Sequence, residues 1–250
     1  MAIILRSRKE IERLRASNQV VMCVMAELKK AIRPGITTLE LDDLAERIIR
    51  GQGAIPAFKG YRGYQHTICA SVNEEVVHGV PSGKKLKDGD IVSVDVGAKL
   101  YGYFGDHAVT FPVGNVDPGA NKLLKCCEES LFKGIEQAKP GNRLFDISHA
   151  VQKHAEGAGF SVVRAYVGHG VGTNLHEEPQ VPNFGEPGTG PELKAGMVLA
   201  IEPMLNMGVH DVKVLSDEWT VVTADEKLSA HFEHSVAITE DGPEILSLAG

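Results

Sequence analysis

The sequence predicts a mixed α/β chain built as two similar halves, and three observations carry that expectation. Two helical patterns followed by a run of short β-branched segments occur twice in succession. Each helix pair is interrupted by the same dipeptide, Pro34-Gly35 and Pro140-Gly141. Each dipeptide is followed by an apolar-acidic-apolar triplet, Leu39-Glu40-Leu41 and Phe145-Asp146-Ile147, at an offset of 106 residues. No linker or low-complexity stretch separates the halves, so they are expected to pack as one domain.

The elements follow from local signals. Ser7-Arg8-Lys9-Glu10 is a capping box that starts the first helix. Ile11, Leu14, Val21, Met25, Leu28 and Ile32 then recur at three-four spacing, up to Pro34-Gly35. Thr37-Thr38-Leu39-Glu40 is a second capping box, and Leu41, Leu44, Ala45 and Ile48 form the buried stripe of the next helix. Short β-branched segments fill the stretch from Thr67 to Val113. Leu124, Cys127, Leu131 and Ile135 mark a third helix; Leu144, Ile147, Val151 and Ala155 mark a fourth. A second strand-rich stretch runs from Ser161 to Leu246.

Composition narrows the function classes. Of 250 residues, 43% are hydrophobic and 24% charged, which is ordinary for a globular protein and against disorder. The formal charge is -7 with Lys and Arg dispersed, so no basic stripe offers itself to nucleic acid. The cysteines at 23, 69, 126 and 127 form neither a disulfide framework nor a CxxC metal site, which points to a reducing compartment. The N-terminal segment turns charged at Arg6, so no signal peptide is expected, and no apolar run is long enough for a membrane span. A cytoplasmic location is the resulting expectation.

Chemistry first shows in a hairpin. In 91–97, Val92, Val94 and Val96 alternate onto one face, which leaves Ser93 and Asp95 on the other. The run from Tyr103 to Val113 carries Asp106. A turn centred on Leu100 and Tyr101 would set Asp95 directly opposite Asp106, with like charges about 4.5–5.5 Å apart at Cβ. A shared proton, a multivalent cation between them, or an aspartate that merely belongs to a solvated turn would each relieve that repulsion.

The second half adds candidates. His169 sits among Gly168, Gly170 and Gly172, which permit close approach of backbone and imidazole. Glu202 ends the apolar segment 197–201, and Glu233 lies in the apolar segment 232–238. A carboxylate in an apolar strand needs a partner, and few cationic side chains are near in sequence. Asp95, Asp106, His169, Glu202 and Glu233 are thus a candidate metal set, able to hold two divalent ions. Oxygen donors with one nitrogen suit Mn, Fe, Co or Zn. A nucleotide-binding reading of the glycines fails, because Pro179 and Pro182 leave no room for the helix such a loop requires.

At these residues the sequence resembles the type I methionine aminopeptidases over nearly all 250 positions. The blocks that carry the likeness are NEEVVHGVP at 73–81, SVDVG at 93–97, Gly105-Asp106, GHGVG at 168–172, HEEP at 176–179, Ile201-Glu202-Pro203 and Phe232-Glu233-His234. The resemblance implies a pita-bread fold, with two pseudo-symmetric halves around a curved, mostly antiparallel sheet, spanning 1–250 as a single domain. It implies that the five candidates bind a dinuclear centre that activates water. His176 is then expected to contact the substrate amide and the developing oxyanion, His78 the peptide nitrogen beyond the scissile bond, and Glu202 to shuttle protons. Tyr61, Tyr64, Cys69 and Trp219 are expected to line the methionine pocket, with plain core packing the alternative for Cys69. The substrates implied are nascent polypeptide N-termini with a small second residue, met by a monomer near the ribosome.

Two positions depart from the family pattern. His107 stands where a small or hydroxyl residue is usual; alternation turns it away from the metals, though a stray ligand is the alternative. Leu175 stands where an aromatic is common, which implies a softer pocket wall. A proline-specific peptidase of the same fold, such as an Xaa-Pro aminopeptidase or prolidase, is the nearest rival. A non-enzymatic peptide-binding member is the second, weakened by the complete ligand set.

Overall fold

The computed structural model describes residues 2–248. The capping boxes open their helices at the expected places. Helix α1 (Arg8–Ala31) begins after Ser7, whose backbone N–H donates to the Glu10 carboxylate at 2.9 Å. Helix α2 (Thr38–Gly51) repeats the device, Thr37 donating to Glu40 at 2.8 Å. Strands β1 (Ile55–Pro56), β2 (Ile68–Val72), β3 (Glu75–Val77), β4 (Ile91–Leu100) and β5 (Tyr103–Pro112) follow. Helices α3 (Pro118–Ile135) and α4 (Leu144–Gly157) open the second half. Its strands are β6 (Ser161–Val162), β7 (Gly168–Gly170), β8 (Glu177–Val181), β9 (Val198–Ile201), β10 (Met204–Asn206), β11 (Val212–Val214), β12 (Val221–Thr223), β13 (Ser229–His231), β14 (His234–Thr239) and β15 (Gly242–Ile245). Among the described residues no helix is long and apolar enough to cross a membrane.

Each helix pair covers its own apolar cluster. Val21, Val24 and Leu28 of α1 and Leu41, Ala45 and Ile49 of α2 pack on Val92, Val94 and Val96 of β4. Leu123, Cys127 and Leu131 of α3 and Ile147, Val151 and Ala155 of α4 pack on Leu199, Ile201, Val236 and Ile238 of β9 and β14. A helix of fourteen residues such as α2 or α4 is marginal in isolation, so burial of these stripes, about 1.5–3 kcal/mol per large side chain, holds it in place. The first sheet has β4 at its centre, paired with β1 and β2 on one edge and β5 on the other. The largest sheet of the second half runs β15-β14-β9-β7-β8, and every named ladder is antiparallel.

Backbone hydrogen bonds carry the duplication expected from the Pro-Gly repeats. Gly35 N–H donates to Leu86 O, and Gly141 N–H to Leu193 O; Leu86 N–H returns to Ile36 O, and Leu193 N–H to Asn142 O. Both glycines are left-handed, φ 93° and 89°, a conformation glycine adopts without strain. Isolated bridges join Thr37 to Lys85 and Arg143 to Glu192. The helix after each junction is capped by an acid three residues on, Glu40 and Asp146.

The hairpin register differs from the expected one. The turn falls at Tyr101-Gly102, so Leu100 pairs with Tyr103, Asp95 with Ala108 and Gly97 with Asp106. Tyr101 and Gly102 both take positive φ, 51° and 86°, the requirement of a two-residue hairpin turn that matches strand twist. The two-residue shift keeps both aspartates on one face but makes them diagonal neighbours, not direct opposites. The halves are stitched together at that spot: Glu233 N–H donates to Ala108 O at 2.9 Å and Ser235 Oγ to Asp106 O at 2.8 Å.

Helix α1 comes so close to β5 that a Cβ on Gly105 would lie 2.6 Å from Asn18 N and 2.7 Å from Ser17 C, both backbone atoms. Gly105→Ala is therefore expected to destabilise by about 1–3 kcal/mol. Gly51→Ala, at the end of α2 with nothing within 4 Å of the added carbon, is expected to be neutral or stabilising by up to about 1 kcal/mol. Thermal denaturation checks both; equal stability of the two variants contradicts the packing described.

Candidate metal centre

Alternation in β4 sends Val92, Val94 and Val96 to the core under α1 and α2, and Asp95 to the concave face. Asp106 of β5 reaches the same face, its N–H held by Asn18 Oδ1 at 3.3 Å. His169 rides on β7, where neighbouring backbones press close: a Cβ on Gly168 would lie 2.3 Å from Ala200 O, and one on Gly170 2.3 Å from Glu178 O. Glu202 follows β9 directly, its carbonyl accepting from Asn183 Nδ2 at 3.1 Å. Glu233 sits at the break between β13 and β14.

All five candidate ligands line one cavity. One donor atom each from Asp106, His169 and Glu233 lie within 4.8 Å of one another. His169 Nε2 is 3.8 Å from Asp106 Oδ2 and 3.4 Å from Glu202 Oε1. Its Nδ1 is 2.9 Å from the Gly170 carbonyl, so Nδ1 carries the proton and the Nε2 lone pair faces the carboxylates, the tautomer a metal requires.

Asp95 Oδ1, Asp106 Oδ1 and Glu233 Oε1 are buried without a hydrogen-bond partner. Burial is the main force on their protonation. It raises Asp95 to about 7 against the pull of His231, and Glu202 to about 7 against the pull of His169. Asp106 and Glu233 are pushed well above the ordinary carboxylate range by burial and by the neighbouring acids. Unpaired carboxyl oxygens converging with one imidazole nitrogen are, once deprotonated, the donor set of hard or borderline divalent cations. The site fits them.

The remaining predicted residues complete the same cavity. Tyr64, Cys69 and Leu175 form an apolar cluster with Phe58, on which Tyr61 and Trp219 pack. Tyr64 and Trp219 meet edge to face at 4.9 Å, and Tyr64 O–H donates to Ile68 O at 2.9 Å. Burial keeps the Cys69 thiol protonated. His176 stacks on Tyr61 with Nδ1 2.9 Å from the phenol oxygen, and its ring centre is 4.2 Å from that of His169. His78, at φ 59°, meets Tyr166 edge to face, and burial lowers it to about 4.

His107 points away from the carboxylates, as alternation requires. It stacks on His234 at 4.7 Å with an interplanar angle of 11°, and its Nδ1 hydrogen-bonds the Glu233 carbonyl. Sequence reasoning missed Phe58 and Arg62, which join the cavity wall, and His231, whose Nε2 lies 3.5 Å from Glu202 Oε2. His231 stands two residues before Glu233 in one extended segment, so a period-two reading had the signal to find it.

The raised carboxylates make cation binding proton-linked. Their folded pKa values, about 7 for Asp95 and Glu202, exceed the unfolded value of about 4, so the cation-free chain loses their stabilisation as pH rises between those limits. Buried His78, His107 and His234, lowered to about 4, 4 and 3, act oppositely, but equally with and without cation. The rise in Tm on adding Mn2+ to chelator-treated protein is therefore expected to be larger at about pH 8 than at about pH 6. Scanning calorimetry reads it; an increment independent of pH contradicts the assignment.

Comparison with known proteins agrees with this geometry. The model of metallopeptidase family M24 matches residues 12–240. Methionine aminopeptidase 1 of Bacillus subtilis is 58% identical over 245 residues, covering 98% of this chain and 99% of its own. The crystal structure of methionine aminopeptidase from Thermotoga maritima superposes with a TM-score of 0.98 at 48% identity, covering 99% of this chain and all of that one. The prolidase from Pyrococcus horikoshii, at 24% identity and TM-score 0.81, shares the fold; the match covers 99% of this chain and 64% of that one. The chain belongs to metallopeptidase family M24, among its type I methionine aminopeptidases.

Proposed function

We propose that the chain removes N-terminal methionine from polypeptides with a small second residue, at a centre of two divalent cations held by Asp95, Asp106, His169, Glu202 and Glu233. The observation that carries this reading is the meeting of unpaired carboxylate oxygens with an apolar, aromatic-walled pocket in one cavity. Mn, Fe, Co and Zn all suit the donor set. Such ions supply the positive charge that polarises a carbonyl and acidifies water.

The side chains divide the remaining work. Tyr61, Tyr64, Cys69 and Trp219, joined by Phe58 and Leu175, take the methionine side chain, whose thioether favours aromatic contact. Tyr61 O–H donates to His176 Nδ1, which leaves the His176 Nε2–H to donate to the substrate carbonyl oxygen as charge develops there. His78 contacts the peptide nitrogen beyond the scissile bond. Glu202 takes a proton from the attacking water and delivers it to the leaving amine. The substrates on this reading are nascent chains met by a cytoplasmic monomer near the ribosome, with residues 1–250 acting as one domain. The proline-specific reading has less support, because the prolidase neighbours share the fold alone.

Metal-loaded protein is expected to release methionine from Met-Gly and Met-Pro peptides and to leave Xaa-Pro controls intact. Release from the Xaa-Pro controls only would reverse the assignment. Asp106→Asn is expected to abolish turnover by removing a metal ligand while the circular dichroism spectrum is unchanged. Full activity in that variant would exclude Asp106 as a ligand.

A further inference from the structure

His231 lies outside the ligand set, yet the fold builds a fixed seat for it. Its backbone N–H donates to Thr110 Oγ1 at 2.9 Å, and its carbonyl accepts from the same hydroxyl at 2.8 Å. Thr110 Oγ1 in turn lies 2.8 Å from Ser93 Oγ on β4, two residues from Asp95. Pairing of β13 with β10 sets His231 opposite Met204, beside the Glu202-Pro203 turn. The side chain is 2% exposed, and its Nε2 is buried with no hydrogen-bond partner. The carboxylate oxygen within 4 Å is Glu202 Oε2 at 3.5 Å, slightly beyond a normal hydrogen bond, a gap that a small rotation of either side chain closes; Asp95 lies farther off but still acts on the ring through its charge.

Glu202 is therefore bracketed by two imidazoles, His169 at Oε1 and His231 at Oε2, at 3.4 and 3.5 Å. We infer that His231 is a positioning residue for Glu202: its Nε2–H holds Oε2, fixing the carboxylate so that Oε1 is presented on the His169 side. A buried N–H left unpaired is costly, and a ligating carboxylate free to rotate binds cations less tightly. With Oε2 engaged, the rotation of Glu202 is set before any cation or substrate arrives. The inference rests on the proposed role of Glu202 as ligand and proton carrier.

The test compares His231→Leu, which removes the donor at similar volume, with His231→Gln, which keeps an N–H donor. Two readouts are needed: Mn2+ affinity by calorimetry, and kcat and KM on a Met-Gly peptide. His231→Leu is expected to weaken Mn2+ about 10–100-fold and lower kcat comparably with KM within about threefold, and His231→Gln to recover most of both. Leucine values within about twofold of the parent, or glutamine as impaired as leucine, overturn the inference. If His231→Leu does not fold, His231→Met replaces it with the same readouts. A parent protein that binds Mn2+ but releases no methionine defeats the functional reading, while the calorimetric comparison still judges His231.

Discussion

Four carboxylates, those of Asp95, Asp106, Glu202 and Glu233, line one cavity, and their repulsion is the constraint the surrounding structure is arranged around. Three of their oxygens have no partner in the protein. Arg6, the one arginine or lysine buried among the described residues, is paired with Glu177 instead. Left to themselves the acids hold protons, which is what their raised pKa values express. On the proposed reading, divalent cations would resolve the same conflict and supply Lewis acidity there.

Holding unfavourable neighbours together requires a stiff frame, and the duplicated architecture provides one. Each half buries a helix pair on its own strands, and each contributes acids to the shared face. The repeated junctions fix where the strands begin. The halves then lock through direct contacts at the site itself: Glu233 N–H to Ala108 O, Ser235 Oγ to Asp106 O, and the paired hydrogen bonds of Thr110 with His231. The contacts that join the halves are thus the ones that position the candidate ligands.

Much of this was legible in the sequence. The capping boxes, the Pro-Gly junctions, the two-helix repeat and the alternation of Val92, Val94 and Val96 are local signals, and the structure follows them. All eleven predicted site residues line one cavity. The hairpin register was not legible, because it depends on whether Leu100-Tyr101 or Tyr101-Gly102 takes the turn, and that choice is settled by positive φ at the second pair. Phe58 escaped notice because its place at the pocket comes from packing against Gly97, a contact between distant segments. The period-two spacing from Glu233 puts His231 on the cavity side, but its partner Glu202 is set by the pairing of distant strands and is not readable locally. For His107, alternation gave the direction but not the stack on His234 that occupies it.

The central claim is that cations, and not shared protons, reconcile these acids in the working protein. Elemental analysis of anaerobically purified chain, with activity measured on the same sample, tests it most directly. The account predicts two divalent ions per chain and turnover that rises and falls with their content. Full turnover from a preparation stripped of metal would contradict it.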